Sequence, residues 1–141
     1  MSVRSFTKLW LHLIWGTKDR MKILSDKEFR KRISNHLLTY SQEKGIYMKV
    51  NSDHVHALIN LPTNMTIEDV LRLLKGGTSY WINHNVDYKF NWAIGYAAFS
   101  VSESNLNKLV RYILNQEEHH RTKSFTEEYD GFLRAYNIKI D

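Results

Sequence analysis

An α+β fold is predicted by three observations. Leu9, Leu11, Leu13 and Trp15 recur at period two, Phe29, Ile33, Leu37 and Tyr40 recur at helical spacing, and strand and helix patterns then alternate in a fixed order along the chain. That order is β-α-β-β-α-β followed by one more helix. It is the ferredoxin-like, or split β-α-β, arrangement, an antiparallel sheet with helices on one face whose first and third strands lie in the middle.

Each element has its own signal. Thr7 to Trp15 is rich in strand formers. Ser25 and Glu28 form a capping-box pattern that opens the first helix, and Gly45 closes it. Ile46 to Val50, the turn-prone Asn51-Ser52-Asp53 and His54 to Leu61 read as a hairpin. Thr66 starts a second helix with Ile67, Val70, Leu71 and Leu74 on one side, and Trp81 and Ile82 are placed to continue it past Gly76-Gly77. Trp92 to Val101 is the fourth strand candidate. Ser104 can cap a final helix with the apolar stripe Leu106, Leu109, Val110 and Ile113.

A chain of 141 residues is expected to form one domain over 1–141, long enough to bury one core. There is no cysteine, which excludes disulfides and thiolate metal sites. The run Leu9 to Trp15 is interrupted by His12 and is shorter than the ~20 apolar residues that span a bilayer, so a cytoplasmic protein without membrane insertion is expected. The formal net charge is +5, and residues 1–32 carry nine Lys/Arg against three Asp/Glu. A cationic segment of this kind suits contacts with nucleic-acid phosphates, although a solvated basic face is the plainer alternative.

The third strand contains Asp53-His54-Val55-His56-Ala57-Leu58-Ile59-Asn60. Alternation points Val55, Ala57 and Ile59 to the helices and leaves His54 and His56 together on the other, open face. Two neutral imidazoles on one face are a bidentate start for a divalent metal, which needs a further ligand and open positions to act on a substrate. A hydrogen-bonded pair on a polar sheet surface is the alternative. In the last helix Tyr112 and Gln116 are four residues apart and lie one above the other beside the apolar stripe. A tyrosine hydroxyl can attack a phosphodiester, and an amide oxygen can join two histidines on a metal. The same spacing also suits a core-edge tyrosine and a solvated glutamine.

These residues carry a resemblance. DHVHALINL, LLKGGTSYWI, WAIGYAAFSVS and LVRYILNQEEHH, with HLIWGTKDR near the start, are similar to the small single-tyrosine HUH transposases, insertion-sequence enzymes that act on single-stranded DNA and include the REP-associated tyrosine transposases. The similarity runs over nearly the whole chain. It implies that His54, His56 and Gln116 hold a divalent metal, Mg2+ or Mn2+, and that Tyr112 is the nucleophile. It also implies a ferredoxin-like fold, a homodimer, a hairpin-bearing single-stranded DNA substrate, and a site in which Tyr112 and Gln116 of one subunit face His54 and His56 of the other. Cleavage would pass through a 5′-phosphotyrosine that conserves the bond energy for rejoining.

Rival readings are a non-catalytic module like the RNA-recognition domain, a metal-dependent hydrolase that leaves Tyr112 dispensable, and a domesticated REP-associated relative. HVHALINL lacks the stacking aromatics that the first of these carries on its third strand. Glu117-Glu118-His119-His120 reads as a helix C-terminus rather than a second metal cluster. Gly76-Gly77 after Lys75 reads as a helix break or a close contact. His12, His36 and His84 read as ordinary polar residues.

Overall fold

The structure is a computed structural model that describes residues 5–22, 24–38, 47–116 and 123–139. Its elements in chain order are β1 (Trp10–Gly16), α1 (Lys27–Leu38), β2 (Tyr47–Val50), β3 (His54–Asn60), α2 (Ile67–Asn83), β4 (Ala97–Val101), α3 (Leu106–Leu114) and α4 (Phe125–Ala135), with short 3-10 turns at Lys18–Arg20 and Glu103–Asn105. The four strands form one sheet in the order β2-β3-β1-β4, every neighbouring pair antiparallel. β1 and β3 are therefore central, as the ferredoxin-like order requires.

Strand alternation divides the sheet into two faces of different chemistry. Leu13 and Trp15 of β1 with Val55, Ala57 and Ile59 of β3 pack against Ile33 and Leu37 of α1 and Val70, Leu71, Leu74 and Ile82 of α2. This is the larger core. The opposite face carries His12, Ile14, His54 and His56 with Ala97 and Phe99 of β4. It is not open: α3 and α4 cover it, and Phe125 and Leu133 join Ile14, Ala97 and Phe99 in a second apolar cluster.

Local chemistry explains where elements start. The cap of α1 is Asp26, whose Oδ1 accepts the backbone N–H of Glu28 at 2.9 Å, so it takes the place expected for Ser25. Gly45, the expected end of this helix, lies outside the described residues. Thr66 caps α2 reciprocally: its Oγ1 accepts the Asp69 N–H at 3.0 Å and Asp69 Oδ2 accepts the Thr66 N–H at 3.1 Å. α2 then runs unbroken through Gly76-Gly77, and a Cβ added at Gly76 meets nothing within 4 Å, so at Gly76 neither a break nor a close contact is present.

β4 begins five residues later than the expected Trp92. β1 ends at Gly16, which leaves a single bridge between Thr17 and Trp92, and Gly95 adopts a φ of 97° that no strand contains. Lys75 Nζ donates to the carbonyls of Ala93 and Gly95 at 2.9 and 3.1 Å, fixing the irregular segment against α2. At the last sheet exit Ser104 sits inside the 3-10 turn rather than at a helix cap, and α3 begins at Leu106.

Among the described residues no helix is long and apolar enough to cross a membrane. Leu13 is fully buried on the α1/α2 face and remote in side-chain direction from the histidines. Leu13→Ala is expected to lower unfolding free energy by about 3 kcal/mol in chemical denaturation. A loss under 1 kcal/mol would show that this face is not the stabilising core.

Candidate active site

Both strand histidines are fully buried, and each is held by its second ring nitrogen. His54 Nδ1 donates to Asp53 Oδ1 at 2.7 Å, which leaves Nε2 as the nitrogen aimed at the site. His56 Nδ1 lies 2.7 Å from His12 Nε2. This contact follows from strand register: His12 pairs with Leu58 and Ile14 with His56, so His12 and His56 are diagonal neighbours on one face. His12 is thus not an ordinary polar residue but the partner that fixes the His56 ring. Burial, and then the neighbouring His56, push its pKa down to about 3, so it stays neutral and can donate or accept at Nε2.

α3 and α4 bring the remaining groups. Tyr112 Oη donates a hydrogen bond to Glu128 Oε2, and Gln116 Nε2 donates to the same oxygen at 3.2 Å. Glu128 Oε1 lies 2.9 Å from His56 Nε2 and 3.3 Å from His54 Nε2. Asn51 Nδ2 donates to Gln116 Oε1 at 3.3 Å and stands 3.2 Å from His54 Nε2. All four residues singled out from the sequence, His54, His56, Tyr112 and Gln116, therefore meet at one place. They meet within one chain. The short turn Glu103–Asn105 folds α3 back over its own β2 and β3, so the expected sharing of Tyr112 and Gln116 with a partner's histidines is not the arrangement seen.

Aromatic packing sets these positions. The Phe125 ring stacks on His54 with centroids 3.9 Å apart and planes 3° from parallel. Gly16, paired with His54 across the strands, makes room for it: a Cβ there would stand 3.0 Å from Phe125 Cε2 and 3.4 Å from the Asp53 carbonyl oxygen. Phe132 meets His12 and Tyr112 edge-on, with centroids 5.0 and 5.7 Å away. Beside Tyr112 is a cavity of about 350 Å3 lined by His12, Asn105, Lys108, Phe132 and Tyr136 among others.

The electrostatics follow from burial. For His54, burial favours the neutral ring, but hydrogen bonds to Asp53 and Glu128 outweigh it and raise the pKa. Burial, then the Glu128 carboxylate that accepts its proton, raises the Tyr112 hydroxyl well above its ordinary value. A free phenolate is therefore disfavoured. Added positive charge at the site opposes both causes.

The donor set fits a divalent metal. His54, His56 and Glu128 each present a ligand atom, these atoms lie within 4.8 Å of one another, and all three residues are buried. Two imidazole nitrogens and a carboxylate oxygen suit first-row divalent ions.

A family model described as transposase, IS200-like, matches residues 5–116. The chain belongs to this family. A structure of a Deinococcus radiodurans R1 protein taken to be a transposase is 27% identical, with a TM-score of 0.62 over 82% of this chain and 97% of that one. A structure of a REP-associated tyrosine transposase bound to a REP hairpin shares the fold at 13% identity, with a TM-score of 0.59 over 85% of this chain and 73% of that one. No curated protein matches.

Sequence reasoning missed Asp53, Asn51, His12 and Glu128 in this IS200-like transposase. Asp53 adjoins His54, and Ser124-x-x-Glu127 opens a helix whose stripe Phe125, Tyr129, Phe132 and Leu133 contains Glu128 on its buried side. An acid within an apolar stripe was the available signal. The Glu117 to His120 cluster lies outside the described residues. His36 stacks on Trp81 and His84 bonds the Tyr80 carbonyl, both structural. Because Asp53 orients His54, Asp53→Ala is expected to weaken Mn2+ binding about 10- to 100-fold in calorimetric titration. Wild-type affinity in that variant would remove Asp53 from the site.

Proposed function

We propose that this IS200-like transposase cleaves and rejoins single-stranded DNA at hairpin-bearing ends through a 5′-phosphotyrosine on Tyr112, with His54, His56 and Gln116 holding a divalent metal. The observation that carries this reading is the convergence of a tyrosine hydroxyl, two histidines and a glutamine amide on one buried point in a transposase family member. The substrate class is supported by the cationic segment 1–32 and by the hairpin carried by one structural relative.

Mg2+ or Mn2+ at this site supplies the positive charge that polarises the scissile phosphate. The chain's own groups do the rest. His12 and Asp53 hold the imidazoles in fixed orientation, and Asn51 holds the Gln116 amide. Tyr112 Oη attacks phosphorus, the P–O3′ bond breaks, and the hydroxyl proton passes to Glu128 Oε2, which accepts its hydrogen bond. The departing 3′ oxygen takes its proton from water. The DNA 5′ end stays on Tyr112, and a second 3′-hydroxyl reverses the step with a new partner. No nucleotide cofactor is consumed, so the outcome is transposition rather than hydrolysis. The cavity beside Tyr112, with Lys108 on its wall and Phe132 and Tyr136 as aromatic surfaces, has room for an unpaired nucleotide.

The enzyme acts in the cytoplasm as one catalytic domain per chain, and a homodimer supplies two such sites for two DNA ends. A non-catalytic module like the RNA-recognition domain is disfavoured, because α3 and α4 cover the sheet face that such a module exposes to RNA.

Tyr112→Phe removes one hydroxyl and little packing area. With labelled single-stranded hairpin DNA and Mg2+, this variant is expected to bind DNA but to form no cleavage product and no covalent band on a denaturing gel. Cleavage that persists would favour a water-dependent hydrolase. A second test addresses the self-contained site. A mixed dimer of Tyr112→Phe with His54→Ala/His56→Ala, purified through two tags, is expected to be dead. Adduct formation by that dimer would establish sharing between subunits.

A further inference from the structure

We propose that Glu128 is itself a ligand of the metal, through Oε1, and that its second oxygen ties the nucleophile Tyr112 to that metal. This rests on the reading of His54 and His56 as metal ligands and extends it to a helix beyond residue 116, where the family match ends.

The placement is specific. Ser124 caps α4 by accepting the Glu127 N–H at 3.2 Å, and Phe125, stacked on His54, sets the helix phase one turn before Glu128. Leu133 in the second core cluster secures the other end. Glu128 thereby projects into the sheet face with only 4% of its surface exposed. A carboxylate removed from water is costly unless every oxygen is compensated. Oε2 has two donors, Tyr112 Oη and Gln116 Nε2. Oε1 points at the two histidine Nε2 atoms, at 2.9 and 3.3 Å. Those are the nitrogens left for coordination once Asp53 takes the Nδ1–H of His54 and His12 takes up the Nδ1 of His56.

The 2.9 and 3.3 Å between Oε1 and the two Nε2 atoms match adjacent ligands of one ion with bonds of about 2.0–2.2 Å. An anionic oxygen among them offsets part of the ion's charge and hardens an otherwise imidazole-rich set towards Mg2+ and Mn2+. With one oxygen of Glu128 on the ion, the other, which accepts from Tyr112 Oη, would tie the hydroxyl to the same site. The nucleophile's position is then set from α4 as well as from its own helix, α3.

The test is Mn2+ titration of the full chain by calorimetry, with electron paramagnetic resonance of bound Mn2+ as a second readout. Circular dichroism without metal establishes that each variant is folded. Glu128→Gln keeps size and most hydrogen bonding, and is expected to lower Mn2+ affinity at least about tenfold and to change the bound-Mn2+ spectrum. Glu128→Asp keeps the charge but withdraws it by one methylene, and a comparable loss is expected if ligation rather than distant charge is at work. His54→Ala should lose Mn2+ as well. Wild-type affinity in both Glu128 variants, with loss in His54→Ala, would overturn the inference and leave the histidine site standing; the same holds if Glu128→Asp alone binds like wild type. Unchanged affinity in all three variants would overturn the metal reading together with the inference.

Discussion

The carboxylate of Glu128 sits between two imidazoles, a phenol and an amide on a sheet face from which water is largely removed, and each of those groups depends on it. Without an acceptor there, the Tyr112 hydroxyl and the Gln116 amide would lose a buried partner, and the two Nε2 atoms would face one another with nothing between them. A network of this kind is favourable only when it is complete. The neighbouring positions complete it: Asp53 and His12 take up the remaining histidine nitrogens, and Asn51 donates to the Gln116 oxygen, which keeps a second lone pair.

Central-strand geometry makes that network possible. β3 is paired on both sides, so its backbone is satisfied by the sheet and its side chains alternate strictly between two environments. One environment is an aliphatic core under α1 and α2, which gives the sheet rigidity. The other is a polar floor roofed by α3 and α4. A one-residue slip of β1 against β3 would send the histidines into the aliphatic core and Val55 and Ala57 to the site, so the same hydrophobic pattern that stabilises the fold also fixes the chemistry. Gly16 belongs to this constraint. A side chain there would push on the ring of Phe125, which in turn orients His54 and carries α4.

The sheet and its connectivity were legible because each strand and the first two helices bury one clean face. The strand containing His54 and His56 was legible for the same reason, and Tyr112 and Gln116 were legible because helical spacing puts them together and their pattern resembles a known family. Other parts were not. β4 is shorter than its apolar run because β1 ends first and Lys75 captures two carbonyls of the Trp92 to Tyr96 stretch, a tertiary effect that no local pattern carries. The contribution of His12 depends on strand register between residues 44 positions apart. Glu128 is 72 positions from His56, on a helix whose capping pattern is visible but whose docking site is not. Whether the tyrosine helix returns to its own sheet was also open in the sequence, and the tight turn at Glu103–Asn105 is what directs it back.

We propose that the residue attacking DNA is Tyr112, held beside His54 and His56 of its own chain. Peptide mapping by mass spectrometry tests it most directly. After incubation with single-stranded hairpin DNA and Mn2+, nuclease trimming and proteolysis, a nucleotide joined through its 5′-phosphate to Tyr112 is expected. Modification of a different residue, or cleaved DNA with no modified peptide at all, would contradict it.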